Sequence, residues 1–143
     1  MRNPSKPGGR KTESNRILRP EGWPVPQGYS DGMTASGRLI VTGGVVGWDR
    51  ERRFPPSFVE QCRLALQNIV AIIAAGEARP EHIVRLTWFV VDMDRYVASR
   101  KSLGQVYQEV IGPHYPAMAL MQVVRLVEPE AMVEIEATAV VPE

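Results

Sequence analysis

His114-Tyr115-Pro116-Ala117-Met118-Ala119-Leu120-Met121-Gln122, followed after a turn by Val133-Glu134-Ile135-Glu136-Ala137-Thr138-Ala139, is the stretch on which the fold turns. The first segment leaves a proline-bracketed loop and becomes an apolar run. The second alternates apolar residues with Glu134 and Glu136, the two-residue period of a strand with one face on a core. Residues 117–126 and 132–141 are read as the closing strand pair, with 127–131 as the turn. Upstream, 83–91 is a β-branched and aromatic run long enough for a buried strand. Between them, Asp94 can cap a helix whose Tyr96, Leu103, Val106, Tyr107 and Val110 share one face, ended by Gly112-Pro113. An earlier helix begins at Ser57, with Glu60 completing a capping box. It carries Phe58, Cys62, Ala65, Leu66, Ile69 and Ile73 at helical spacing and stops at Gly76.

Short strands are expected at 16–18, 32–35 and 38–42, the last two joined by a tight hairpin turn at Ser36-Gly37. Gly43-Gly44 marks a bulge or a close backbone approach. The order of elements gives an α+β domain over residues 16–143, with two helices on one face of a six-stranded mixed sheet. The other face then needs cover, which oligomerisation usually supplies. Residues 1–15, rich in Pro, Gly, Ser and Asn, read as a disordered tail.

Composition narrows the class. The chain has 143 residues, 44% hydrophobic and 23% charged, enough for one real core. No uninterrupted apolar run suits a membrane span, and the N-terminal residues carry no signal-like apolar segment. Cys62, the single cysteine, excludes an internal disulfide and fits a reducing compartment, so a cytoplasmic protein is expected. The net charge of +1 hides an asymmetry: residues 1–20 hold six Lys or Arg against Glu13 alone, and the rest is net acidic. A basic tail could touch nucleic acid or be an unanchored terminus, while the acidic body argues against a broad phosphate-binding face.

The quoted strands, with Gln27-Gly28-Tyr29 and Thr42-Gly43-Gly44, resemble the RidA (YjgF) family, whose best-known members hydrolyse reactive imines and enamines to ketones and ammonia. The resemblance implies a chorismate-mutase-like subunit, three of which close a homotrimer with pockets between neighbours. It implies that Glu134 positions or activates the hydrolytic water, that Tyr29 donates a hydrogen bond into a pocket, and that Gly43 offers a backbone N–H to a ligand oxygen. The family's second-last strand normally opens Pro-Ala-Arg, and that arginine grips the substrate carboxylate. Here the residue is Met118, and a thioether offers no such fork.

Read as residues alone, these positions leave alternatives open. Glu134 and Glu136 point the same way from their strand, toward water or toward a partly buried interface. Met118 and Leu120 share a side, with Gln122 beyond. They are either core or the wall of an apolar pocket for which Trp23, Trp48, Trp88 and Phe89 are available to stack. Thr42, Gly43 and Gly44 form either an empty bulge or an oxyanion-type site. His114 reads as a solvated loop histidine before a proton shuttle, and His82 as a turn residue. Two distant histidines and one cysteine make no metal constellation, and no cofactor motif is present. The expected function is hydrolysis of a small imine, enamine or related carbonyl compound not anchored by an arginine. The alternative is a catalytically silent small-molecule-binding protein of the same fold.

Overall fold

The computed structural model describes residues 15–143, so the expected tail over 1–15 lies outside the described residues except for Asn15. Asn15 belongs to the domain: its Nδ2 donates to the carbonyls of Val140 (2.8 Å) and His82 (3.2 Å).

Strands β1 (Arg16–Leu18) and β2 (Gly32–Thr34) pair with each other as a separate two-stranded sheet. The main sheet holds β3 (Arg38–Val41), β4 (Val45–Val46), β5 (Ile83–Val90), β6 (Ala117–Gln122) and β7 (Val133–Val141). Its order is β3-β7-β5-β6, with β4 also on β7. The β5–β6 pair is parallel and the other pairs are antiparallel, so the sheet is mixed, as expected, but five-stranded rather than six. The expected hairpin at Ser36-Gly37 is not formed, because β2 and β3 belong to different sheets. Gly37 is required for another reason: a Cβ there would lie 2.1 Å from the carbonyl oxygen of Val141.

Helix α1 (Phe58–Ala75) starts at the Ser57 cap, whose side chain accepts from the Glu60 N–H, and its cap residue at the far end is Gly76. Its buried stripe, Phe58, Cys62, Ala65, Leu66, Ile69 and Ile73, packs on Leu86, Trp88 and Val90 of β5 and Val133, Ile135 and Ala137 of β7. Each fully buried Leu or Ile contributes about 1.5–3 kcal/mol, so this stripe fixes which sheet face is covered. Among the described residues α1 alone is long and apolar enough to cross a membrane, and that buried stripe accounts for its composition. The second expected helix is divided at Ser99 into α2 (Met93–Ala98) and α3 (Arg100–Val110). Its cap is Asp92, not Asp94: the Asp92 carboxylate accepts from the Arg95 N–H at 3.0 Å.

Register settles the two faces. Leu86, Trp88 and Val90 stand beside Ala137, Ile135 and Val133 on one side and beside Met118, Leu120 and Gln122 on the other, all on the helix-covered face. Thr87 and Phe89 stand beside Glu136 and Glu134 on the open face. Leu39 and Val41 share that open face and are 64% and 63% exposed, so it is partly apolar.

Candidate functional site

The register divides the strand candidates between the two faces: Trp88, Met118, Leu120 and Gln122 are on the covered side, Phe89 and Glu134 on the other. Tyr29 lines a cavity on the covered side, and Gly44, after Thr42 and Gly43 in the bulge, lies beneath Glu134.

On the covered side, the loop carrying Tyr29 is stitched to the start of β6. The Ser30 N–H donates to the Pro116 carbonyl at 3.0 Å, its hydroxyl donates to the Tyr115 carbonyl, and Ser30 bridges Ala117 in parallel register. A cavity of about 650 Å³ opens beneath α2 and α3, lined by Gln27, Gly28, Tyr29, Trp88 and Met118 and by Tyr96, Arg100, Leu103, Gly104, Tyr107 and Tyr115 among others. Tyr107 and Tyr115 stack with ring centroids 5.4 Å apart. Burial pushes the Tyr107 phenol well above its ordinary value, with repulsion from Tyr115 adding to it; burial also raises Tyr96. Both therefore stay neutral; the Tyr107 hydroxyl donates its hydrogen to the His114 carbonyl.

Two covered-side candidates are otherwise engaged. Gln122 accepts from the Met93 N–H at 2.9 Å, ending the sheet against the first turn of α2, and Leu120 packs on the core. Neither lines the cavity. Trp88 and Phe89 cannot stack on one ligand from one chain, since adjacent strand residues point apart. Trp23 is 56% exposed. Trp48 packs with Phe54, ring centroids 5.7 Å apart, and beneath Arg52 in a separate loop. His114 is not a solvated loop histidine: its Nε2 lies 2.7 Å from the Ile83 carbonyl oxygen, which that nitrogen meets as an N–H donor.

The open side is built on a bulge. Val41 pairs with Thr138 and Val45 with Ile135, so four steps on one strand match three on β7. Thr42 manages the mismatch. Its N–H donates to the Ala137 carbonyl (2.9 Å), and its hydroxyl accepts from the Ala137 N–H (2.9 Å) while donating to the Gly43 carbonyl (2.7 Å). A side chain thus replaces a backbone acceptor, and the chain lifts away from β7. Among the described residues, neither the Gly43 nor the Gly44 N–H is hydrogen-bonded. The Glu134 side chain lies over Gly44, where a Cβ would sit 2.7 Å from Glu134 Cδ; only glycine leaves the carboxylate this position. Glu134 is half-buried and Glu136 is exposed.

A second hollow, of about 660 Å³, lies against residues 124–129 and contains none of these groups. Among the described residues no three His, Cys, Asp or Glu cluster as metal ligands. Cys62 is fully buried, and burial pushes its thiol from 9.0 to about 12, so it is inert as a nucleophile.

The endoribonuclease L-PSP family model matches residues 23–141. The chain belongs to this family, also called RidA or YjgF. It is 27% identical over 115 residues to "Putative reactive intermediate deaminase TdcF" of Escherichia coli, covering 78% of this chain and 85% of that one. It is 31% identical over 105 residues to a RutC family protein of Haemophilus influenzae, covering 73% and 80% respectively. Among solved structures, the Rid-family protein YyfB of Yersinia pestis superposes with a TM-score of 0.79 at 28% identity, covering 90% of this chain and all of that one. E. coli TdcF with bound serine gives 0.66 at 28% identity, covering 87% and 98%.

Sequence reading missed Arg100, Gly104 and the three tyrosines as pocket residues. Arg100, Gly104 and Tyr107 do recur at helical spacing on one stripe of α3, but the face legible in the sequence is Tyr96, Leu103, Val106, Tyr107 and Val110, which includes neither Arg100 nor Gly104.

Proposed function

We propose that this chain hydrolyses a small imine, enamine or related carbonyl compound, as a homotrimer whose sites are each shared between two copies. One observation carries the reading. Tyr29 and Met118 line a cavity on the covered face, while Glu134 lies over Gly44 on the open face. No single chain unites them, so the cavity of one copy is completed by the carboxylate of the next. The half-apolar open face, with Leu39 and Val41 bare, supports that assembly. The family supports the chemistry: TdcF carries the name of a deaminase of reactive intermediates, and serine, a small molecule, is bound in its structure.

In this reading the Glu134 carboxylate takes a proton from water as the water oxygen attacks the C=N carbon. The Tyr29 hydroxyl donates to the nitrogen, and the N–H groups of Gly43 and Gly44 hold the new oxygen. Glu134 passes the proton taken from water to the nitrogen, giving the carbinolamine; it then takes the hydroxyl proton as the C–N bond breaks and delivers it to the departing nitrogen, so that ammonia leaves and the carbonyl compound remains. Met118 presents a thioether, so recognition at this position of β6 is apolar and is not made by an arginine.

The test is ammonia release from a panel of imines and enamines, comparing the wild type with Glu134→Gln. Turnover that survives this substitution unchanged refutes the assignment. A silent binding protein is the second reading, favoured by one fact: among the described residues Glu134 has no hydrogen-bond or ion-pair partner to hold it as a base. A compound that raises the melting temperature and persists unconsumed selects that reading.

A further inference from the structure

We infer that Arg100 selects the ligand of the covered-face cavity, and that the ligand is an anion with a flat apolar body, of the class of aromatic carbonyl compounds bearing a carboxylate. This rests on the reading of that cavity as the ligand site. Of the side chains lining the cavity, Arg100 alone is charged. Among the described residues its guanidinium forms no ion pair; its one hydrogen bond runs from Nε to the Val97 carbonyl at 3.4 Å. The two terminal nitrogens are left uncommitted, and these form the fork that grips a carboxylate. The first turn of α3 holds no acidic residue to offset Arg100 and Lys101.

Two further features define the rest of the ligand. Gly104 stands one turn along from Arg100, and a Cβ there meets nothing within 4 Å. Glycine inside a helix is destabilising relative to alanine, and its φ here is one any residue adopts, so no backbone demand explains it. A side chain at this position would project into open space on the cavity wall, one turn from Arg100. The rest of the lining is rich in rings, Trp88, Tyr96, Tyr107 and Tyr115, the last two stacked with planes 14° apart, a composition suited to a flat apolar body. The duller account is that Arg100 only closes the end of α2 through Val97. On that account its replacement changes stability and leaves ligand choice alone.

Calorimetric titration of the full-length protein separates the two, using phenylpyruvate and phenylacetone, which carries a methyl where the acid has its carboxylate. Wild type should prefer the acid by about tenfold or more, the size of one charge-assisted pair. Arg100→Gln should erase that preference while leaving phenylacetone affinity unchanged, and Arg100→Lys should keep part of it. Gly104→Leu, which fills the space, should weaken both ligands. An unchanged acid-to-ketone ratio in Arg100→Gln overturns the role of Arg100 and leaves the cavity standing. Binding that ignores Gly104→Leu removes the cavity itself as the site. Failure of wild type to bind the acid at millimolar concentration overturns the anionic class, while the role of Glu134 remains judged by ammonia release.

Discussion

The two faces of the sheet are built by different means. The covered face is finished within one chain: α1 supplies the core, α2 and α3 roof the cavity, and Ser30 pins Tyr29 beside Met118. The open face is left incomplete, with a carboxylate over a glycine, unpaired N–H groups at a bulge, and Leu39 and Val41 bare. In the proposed reading, recognition groups sit where packing within the chain holds them, and the groups assigned to bond-making sit where a second copy would arrive. That reading ties chemistry to assembly: a monomer would keep the cavity and lack its carboxylate.

The comparison can be broken most sharply at Glu134. Glu134→Gln should lower turnover by about 10²–10⁴-fold, the usual worth of a positioned general base, with the melting temperature unchanged or higher. A matching loss of stability would show the carboxylate to be structural.

The open face should next yield to charge. Light scattering should give about three times the 15.9 kDa chain mass. Leu39→Lys with Val41→Lys should reduce this to the monomer and abolish turnover, while phenylpyruvate binding in the covered cavity falls far less. A wild-type monomer would end the shared-site account.

Gly44→Ala tests the contact between bulge and carboxylate. The methyl must displace the Glu134 side chain, whose nearest atom would be 2.7 Å away. Turnover should fall about tenfold or more, because a displacement near 1 Å is costly to catalysis. Stability should change little, since a flexible side chain can move aside. Unchanged turnover would show that the carboxylate needs no fixed position.

The smallest effect belongs to the covered face. With its thiol raised from 9.0 to about 12, Cys62 keeps its proton in the folded chain over a range where the unfolded chain loses it. Its stabilising contribution is complete below pH 9.0 and is lost as pH rises toward about 12, with a slope of about 1.4 kcal/mol per pH unit. Cys62→Ala should flatten the alkaline limb of stability against pH, at the cost of a small cavity. An unaltered limb would mean the thiol is not sealed.

How much of this was legible in the sequence follows from the same contrast. The capping box at Ser57 and the stripe on α1 announce a helix through local chemistry, and the alternation around Glu134 announces a strand. The mixed sheet with its helix-covered face was therefore readable. The failures needed long-range information. Whether Ser36-Gly37 joins a hairpin depends on β7, whose carbonyl at Val141 approaches Gly37. The division of the candidates depends on the parallel register that sets Met118 beside Leu86, which no local pattern encodes. Gln122 reads as a pocket residue in the sequence because its partner, the Met93 N–H, lies 29 residues away on a helix. Nothing local marks Arg100 or Gly104 as lining a cavity; only the fold brings them to the space that Met118 also lines.

The account's central claim is that each site takes its cavity from one copy and its carboxylate from another, and mixing two disabled proteins tests it most directly. Gly104→Leu blocks the cavity and keeps Glu134; Glu134→Gln keeps the cavity and removes the base. Each should be inactive alone. Unfolded together in equal amounts and refolded, they should regain about one quarter of wild-type ammonia release, the random share of trimer sites pairing an intact cavity with an intact carboxylate. Mixed trimers without activity, when both parents refold to the native mass, would place the whole site within a single chain and contradict the account.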